Sequence, residues 1–185
     1  MLLRTLIFKA MLWLLPPLLG SQSAQRPACA RETPDERSVR YESIAEDLEK
    51  AIELEAPRDP RFAAALVLGV TFEESRWHRH VDLGLDPATS GQRTGQWCLG
   101  QINLGKRGTT SDGVTGPELV ASRVACFRET LRRIQRSLGA CRTLEPKHWL
   151  SVYASGVCSL GHAESAKRMN TSFLLHSKIV QYDSR

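Results

Sequence analysis

Apolar residues recur at helical spacing through most of this chain, and the pattern predicts an all-α fold. Thr33-Pro34-Asp35-Glu36 has the form of a capping box, so we expect a helix from about Pro34 to Ala56. Asp59-Pro60 begins a second helix in the same way. Because the run from Phe62 to Phe72 is apolar almost all round, we expect that helix at the centre of the domain, with Gly69 leaving room for a close neighbour.

Further helices are predicted after a long irregular stretch. Between His78 and Thr115 no period is sustained, and we expect a long loop with one short helical turn at Gln96–Leu104. An amphipathic helix then runs from the capping box at Thr115 to Gly139, with an apolar stripe that is typical of core packing. A shorter helix is expected over Pro146–Ser155 and a last one over about Ala163–Asn170, followed by an unassigned tail. No strand and no internal repeat is predicted.

The N-terminus is typical of an export signal. Two basic residues precede an apolar stretch from Ala10 to Leu19, which is short for a bilayer span, and small polar residues follow it. We therefore predict a signal peptide over residues 1–24, a linker over 25–37 and one domain over 38–185, the alternative being a retained signal anchor. The net charge of +5 fits an anionic polymer as partner, and no basic-aromatic pattern indicates nucleic acid.

The five cysteines all lie beyond the predicted signal and indicate disulfide bonds in an exported protein. An odd number leaves at least one unpaired, and we expect that one to be Cys29, near the new N-terminus. Cys98, Cys126, Cys141 and Cys158 then allow three pairings, among which the sequence does not choose. Their spacing is not that of a zinc site, so metal binding by these thiols is not expected, and no cofactor is expected either. The expected location is the periplasm or the outside of the cell.

A pair of glutamates, Glu73 and Glu74, ends the central apolar helix beside Phe72 and Trp77. A carboxyl group among apolar side chains keeps its proton to a higher pH, because burial disfavours the charged form. Such a group can protonate a departing oxygen near neutral pH. Either glutamate satisfies this argument, and the plainer interpretation is that both are surface charges at a helix end.

Three short segments form an ordered set along the chain: Glu74-Ser75, Cys98-Leu99-Gly100-Gln101-Ile102 and Tyr153-Ala154-Ser155-Gly156. They resemble the Glu-Ser, Gly-Leu-Met-Gln-Ile and Ala-Tyr-Asn-Ala-Gly motifs of the SLT-type lytic transglycosylases, which have a lysozyme-like (goose-type) fold. The resemblance extends over residues 61–156. Cys98 and Gly100 depart from the second motif by replacing glycine and methionine, and Ala154 replaces the asparagine of the third.

The resemblance implies a substrate and a mechanism. Enzymes of that family cleave the β-1,4 bond between N-acetylmuramic acid and N-acetylglucosamine in peptidoglycan and close a 1,6-anhydro ring. Glu74 would be the single acid and base. Four residues would bind the substrate: Ser75, Gln101, Ile102 and Tyr153. Tyr153 would extend its hydroxyl toward Glu74. The implied partners are peptidoglycan glycan strands and a secretion or cell-envelope complex, and the implied state is a monomer.

Other functions are compatible with the same residues. A hydrolase of lysozyme type needs a second carboxylate, and Asp82 and Asp86 are the candidates, against a plain role in capping turns. A non-catalytic glycan-binding module would suit the departures at Gly100 and Ala154, because likeness of fold does not confer function. Metal binding would use three histidines: His78, His80 and His162.

Overall fold

The computed structural model describes residues 2–14, 32–85 and 95–184. The described part of the chain is mostly helical, with 71% helix and 4% strand, which confirms the predicted all-α class. The helices are α1 (Leu3–Leu14), α2 (Pro34–Glu55), α3 (Pro60–Ser75), α4 (Arg79–Asp82), α5 (Gly116–Ala121), α6 (Arg123–Ala140), α7 (Ser151–Ser155) and α8 (His162–Asp183). Two strands, β1 (Gln96–Trp97) and β2 (Ile102–Asn103), pair antiparallel, and 3-10 helices lie at Gly105–Arg107 and Pro146–His148.

Helix α3 is the central element, as its apolar run predicts. Every residue from Ala63 to Phe72 is buried, and the side chain of Asp59 caps the helix by accepting from the Phe62 amide. Helix α8 packs along α3 at Gly69, where a Cβ atom would lie 2.2 Å from the Ser172 hydroxyl oxygen. The prediction of a close neighbour at this glycine is therefore confirmed.

Helix α2 begins at the predicted capping box. The Thr33 side chain accepts from the Glu36 amide while the Glu36 carboxylate accepts from the Thr33 amide. Residues 34–37, which were expected in a linker, therefore form the first turn of α2. The helix ends where Ala56 takes a left-handed conformation, with φ of 42°.

Helix α1 lies within the segment predicted as a signal peptide. One face of it (Leu6, Ile7, Ala10 and Met11) is buried against α2 and α8. Cleavage after residue 24 stays a prediction, since residues 15–31, with Cys29, lie outside the described part. Among the described residues, no helix combines the length and apolar character that a membrane crossing requires.

The predicted bounds of the later elements were partly wrong. The helix expected from Thr115 to Gly139 is two helices, because Ser122 has extended backbone between them and caps α6 with its hydroxyl. The stretch Pro146–Ser155 is likewise a 3-10 helix followed by α7. The last helix does not end near Asn170 but runs to Asp183, because its apolar residues continue into the core.

The segment Gln96–Leu104 was expected to be a helical turn and instead forms a small hairpin. Trp97 pairs with Ile102 across it, and the turn between them is closed by a hydrogen bond from the Gln101 amide to the Cys98 carbonyl. Cys98 and Gln101 both have positive φ, of 56° and 47°, which an α-helix does not allow. This left-handed turn is the physical reason for the wrong prediction.

Two disulfide bonds pair the four cysteines that the structure describes, as expected for an exported protein. Cys98 bonds to Cys126 and ties the hairpin to α6. Cys141 bonds to Cys158 and joins the end of α6 to the turn before α8. The first bond fixes the second motif segment to the helical core.

Candidate active site

The three motif segments meet at one cavity of about 410 Å³. We name it the Glu74 pocket, and its lining includes Glu74 from α3, Gln101 and Ile102 from the hairpin, Arg133 from α6, Tyr153 from α7 and Arg168 from α8. Residues that lie far apart in the sequence are therefore neighbours on one wall. Four of the five predicted site residues lie here, and Ser75 does not.

Glu74 is held at the end of α3 by an abrupt helix stop. Arg76 and Trp77 both adopt left-handed backbone, with φ of 51° and 48°, which turns the chain away one residue after Ser75. The Trp77 ring is fully buried, donates to the Thr71 hydroxyl over 2.9 Å and packs edge-to-face on Phe72. Burial of this ring stabilises a backbone that non-glycine residues rarely adopt. The helix therefore ends with Glu74 on the pocket wall.

The Glu74 carboxylate is mostly buried and is bonded on one side. Arg168 donates to its Oε1 from Nη2 over 2.6 Å and from Nε over 2.9 Å, and the Glu74 side chain is 16% exposed. Burial raises the pKa of Glu74 above its ordinary value of 4.5, although the charge and hydrogen bonds of Arg168 act to lower it. Burial was the cause expected from the sequence. A carboxyl group in this setting holds a proton to a higher pH than an exposed glutamate does.

Glu73 has a different role from its neighbour. Its carboxylate accepts from Arg76 over 2.9 Å and from the Thr171 hydroxyl over 2.7 Å, and Lys167 lies 3.1 Å away. These contacts tie the end of α3 to α8, and Glu73 is not among the residues that line the pocket. Of the two glutamates, between which residue chemistry alone does not choose, Glu74 is the one that lines the pocket.

The hairpin and α7 supply the other motif residues at the pocket. The Tyr153 hydroxyl donates to the Gly100 carbonyl over 2.7 Å, so it braces the hairpin and does not bond to Glu74 as predicted. Burial, and then the nearby charge of Glu74, raise the pKa of Tyr153, so its hydroxyl stays protonated. A Cβ atom on Gly100 would lie 2.2 Å from the Thr130 hydroxyl oxygen, so methionine does not fit at this position. The departure from the motif follows from the close contact with α6.

Two other motif residues have defined contacts. The Gln101 side-chain amide donates to the Cys98 carbonyl over 3.0 Å, which holds the side chain at the pocket wall. Ser75 is buried beneath the pocket, where its hydroxyl donates to the Thr71 carbonyl and accepts from the Trp77 amide. Its contacts support the helix end and not a substrate.

Asp82 lies in a separate charged group, which we name the Asp82 cluster: Glu32, Arg40, Asp47, Asp82 and Arg123. Arg123 donates to both carboxylate oxygens of Asp82, over 2.6 and 2.9 Å, and Arg40 donates over 3.2 Å. The Asp82 side chain is 0% exposed. It borders a different cavity from Glu74, so it is not placed to activate water there. The other candidate, Asp86, lies outside the described residues.

The histidines named as metal candidates do not form one group. The rings of His78 and His80 stack with their centroids 5.3 Å apart, whereas His162 stacks on His148 at 4.1 Å. In the described part of the chain, no group of three or more His, Cys, Asp or Glu residues is arranged to hold a metal ion.

Arg168 and Arg133 are the charged pocket residues that sequence reasoning missed. Neither belongs to a motif, and Arg168 falls in a helix whose full length was not predicted. One signal was present, since Arg168 precedes Ser172 by one helical turn. Ser172 packs on Gly69, so α8 carries Arg168 toward the C-terminal end of α3.

No known family model matches this chain, and no curated protein or solved structure is significantly similar to it. Function therefore has to be inferred from the pocket and from the motif resemblance.

Proposed function

We propose that this protein is a lytic transglycosylase with a lysozyme-like fold, which cleaves the bond between N-acetylmuramic acid and N-acetylglucosamine in peptidoglycan. The observation that carries the proposal is the position of Glu74, a mostly buried carboxyl group on the wall of a cavity large enough for sugar rings. Among the described residues that line this cavity, Glu74 is the one carboxylic acid.

A single acid supports cleavage without water. Protonated Glu74 donates its proton to the glycosidic oxygen as the bond to the muramic carbon breaks. The resulting carboxylate then accepts the proton of the same sugar's six-hydroxyl, whose oxygen closes the anhydro ring. Glu74 ends in the state in which it began. Two-carboxylate hydrolysis would need a partner across the cavity, and Asp82 is held in its own cluster.

The remaining wall fits a role in substrate binding. Gln101 offers an amide, Ile102 is a buried apolar residue, and Tyr153 fixes the hairpin that carries both. Apolar surfaces with a few fixed polar groups are typical of ligand sites. Tyr153 therefore acts through the hairpin in this proposal and not through a bond to the acid.

Digestion of purified peptidoglycan tests the proposal. Anhydro-muropeptides, lighter by one water than hydrolysed products, are expected from the wild-type protein and should be absent with Glu74→Gln. Products with a reducing end would contradict transglycosylation and establish a hydrolase. Circular dichroism of both proteins shows whether the variant is folded.

The bond between Arg168 and Glu74 favours a second candidate, a glycan-binding module without catalysis. A guanidinium that stays on the carboxylate stabilises the ionised form, which has no proton to donate. Retention of the folded wild-type protein on peptidoglycan, with no released fragments, would support this alternative.

A further inference from the structure

The Glu74 pocket carries more positive than negative charge. Its described wall has the guanidinium groups of Arg133 and Arg168 and the carboxylate of Glu74. With Glu74 ionised this wall has a net charge of +1, and with Glu74 protonated it has +2. Neutral sugars give no reason for a pair of arginines at this place, whereas an acidic group does.

Arg168 has donor capacity left beyond its bonds to Glu74. A guanidinium has five N–H donors, and here Nε and Nη2 both point to the same oxygen, Oε1. Its Nη1 makes no hydrogen bond to a described residue, and its side chain is 12% exposed at the cavity. An incoming carboxylate can therefore reach this guanidinium and compete for it.

Arg133 is fixed by groups other than Glu74. Its Nε donates to Glu129 over 2.7 Å and its Nη1 to the Asn103 carbonyl over 2.9 Å. Glu129 itself is buried and also lies 3.4 Å from Arg136. Arg133 is thus a positioned cation that does not depend on Glu74.

Building on the function proposed above, we infer that Arg168 binds a carboxylate of the glycan strand and thereby releases Glu74, which takes up a proton from solvent. The substrate class is then an acidic glycan and not a neutral one. The carboxylate comes from the lactyl group of N-acetylmuramic acid or from its peptide stem. In the free pocket Glu74 is paired with Arg168. Binding of an acidic substrate frees Glu74 to take up the proton that it then donates.

The charges around Glu74 decide the direction of this coupling. Arg168 on α8 favours the ionised carboxylate, while Glu73 on α3 favours the protonated one. Glu73 is itself paired with Arg76 and Lys167, and Tyr153 on α7 is neutral. Once Arg168 bonds to a ligand, it no longer lowers the pKa of Glu74. The rise in pKa that burial causes is then no longer offset. Ligand binding and proton uptake are therefore linked, and the carboxylate ligand binds more tightly as pH falls.

Disaccharides that lack the scissile bond test the inference by calorimetry. The probes are N-acetylglucosaminyl-N-acetylmuramic acid, its peptide-bearing form, in which the lactyl group is an amide, and neutral chitobiose. We expect the wild-type protein to bind a carboxylate probe about tenfold more tightly than chitobiose, as a hydrogen-bonded charge allows. Titrations in two buffers of different ionisation enthalpy should show proton uptake with that probe and none with chitobiose. The preferred carboxylate probe identifies the source of the charge.

Arg168→Gln should abolish the preference and the proton uptake, whereas Arg168→Lys should keep part of both. Arg128→Gln is the matched control, because Arg128 pairs with Glu55 away from the pocket. A preference that survives in folded Arg168→Gln, or none in the wild type, would overturn the inference. If the protein cleaves peptidoglycan but does not bind a carboxylate probe more tightly than chitobiose, this inference alone is refuted. If it shows that preference but cleaves no peptidoglycan, the proposed enzymatic function is refuted and the anion site stands.

Discussion

Glu74 and Asp82 are both acidic residues that face arginines, yet their settings differ. Both oxygens of Asp82 accept hydrogen bonds, from Arg123 and Arg40, and the side chain is 0% exposed. Glu74 accepts on one oxygen from one arginine, and its side chain is 16% exposed at a cavity. Both Asp82 oxygens are engaged, whereas one Glu74 oxygen accepts no hydrogen bond from a described residue and is left for a substrate.

This difference distinguishes a carboxylate that stabilises the fold from one that can take part in a reaction. A buried ion pair with all its partners holds elements together, and removing one member leaves an uncompensated charge. The Asp82 cluster joins α2, α4 and the start of α6 in this way. A carboxyl group with raised pKa at a cavity is a candidate for proton transfer.

The largest expected effect is on catalysis at Glu74. We expect Glu74→Gln to lower the rate of muropeptide release by about 10²–10⁴-fold, since a positioned acid contributes about that much. Glu73→Gln makes the same chemical change one residue away, outside the pocket, and should keep most of the activity. Equal losses in the two variants would contradict the assignment of Glu74.

Asp82→Ala should act on stability instead. We expect the free energy of unfolding to fall by about 3–5 kcal/mol, because Arg40 and Arg123 lose a shared buried partner. Urea denaturation measures this loss. The activity of the protein that remains folded should be close to that of the wild type, and a large loss there would make Asp82 a catalytic candidate again.

The disulfide bond between Cys98 and Cys126 should affect both the stability of the fold and the binding of glycan. Replacing both cysteines by serine removes a link that closes 28 residues of chain and holds the hairpin against α6. We expect the free energy of unfolding, measured by thermal denaturation, to fall by about 2–4 kcal/mol. We also expect weaker glycan binding. The matched pair Cys141→Ser with Cys158→Ser should lower stability with a smaller effect on binding.

Gly69→Ala tests the contact that brings α8, and with it Arg168, to α3. The added methyl group would meet the Ser172 side chain and backbone, so we expect a loss of about 1–3 kcal/mol from overpacking. Gly139→Ala is the control, since a Cβ atom there meets nothing within 4 Å and alanine favours the helix. Denaturation midpoints of the two variants should shift in opposite directions.

The sequence was informative where local chemistry determines structure. The capping box at Thr33 and the apolar run of α3 predicted two helices and the central position of one. The hairpin was missed because its turn depends on left-handed backbone at Cys98 and Gln101, which no local pattern signals. Arg168 was missed for another reason, since its role arises only when α8 packs on α3.

The most direct test is the pKa of Glu74 itself. The folded protein binds this proton more tightly than the unfolded chain, so its contribution to stability is present at low pH and is lost as pH rises through the folded pKa. Carboxyl carbon NMR, assigned with Glu74→Gln, can follow this group alone. We predict a midpoint above the ordinary 4.5, and a fall of kcat/KM for cleavage over the same pH range, because kcat/KM reports the ionisation of the free enzyme. A midpoint at or below 4.5 would mean that the bonds from Arg168 outweigh burial in the free protein, which would contradict the assignment of Glu74 as an acid with raised pKa.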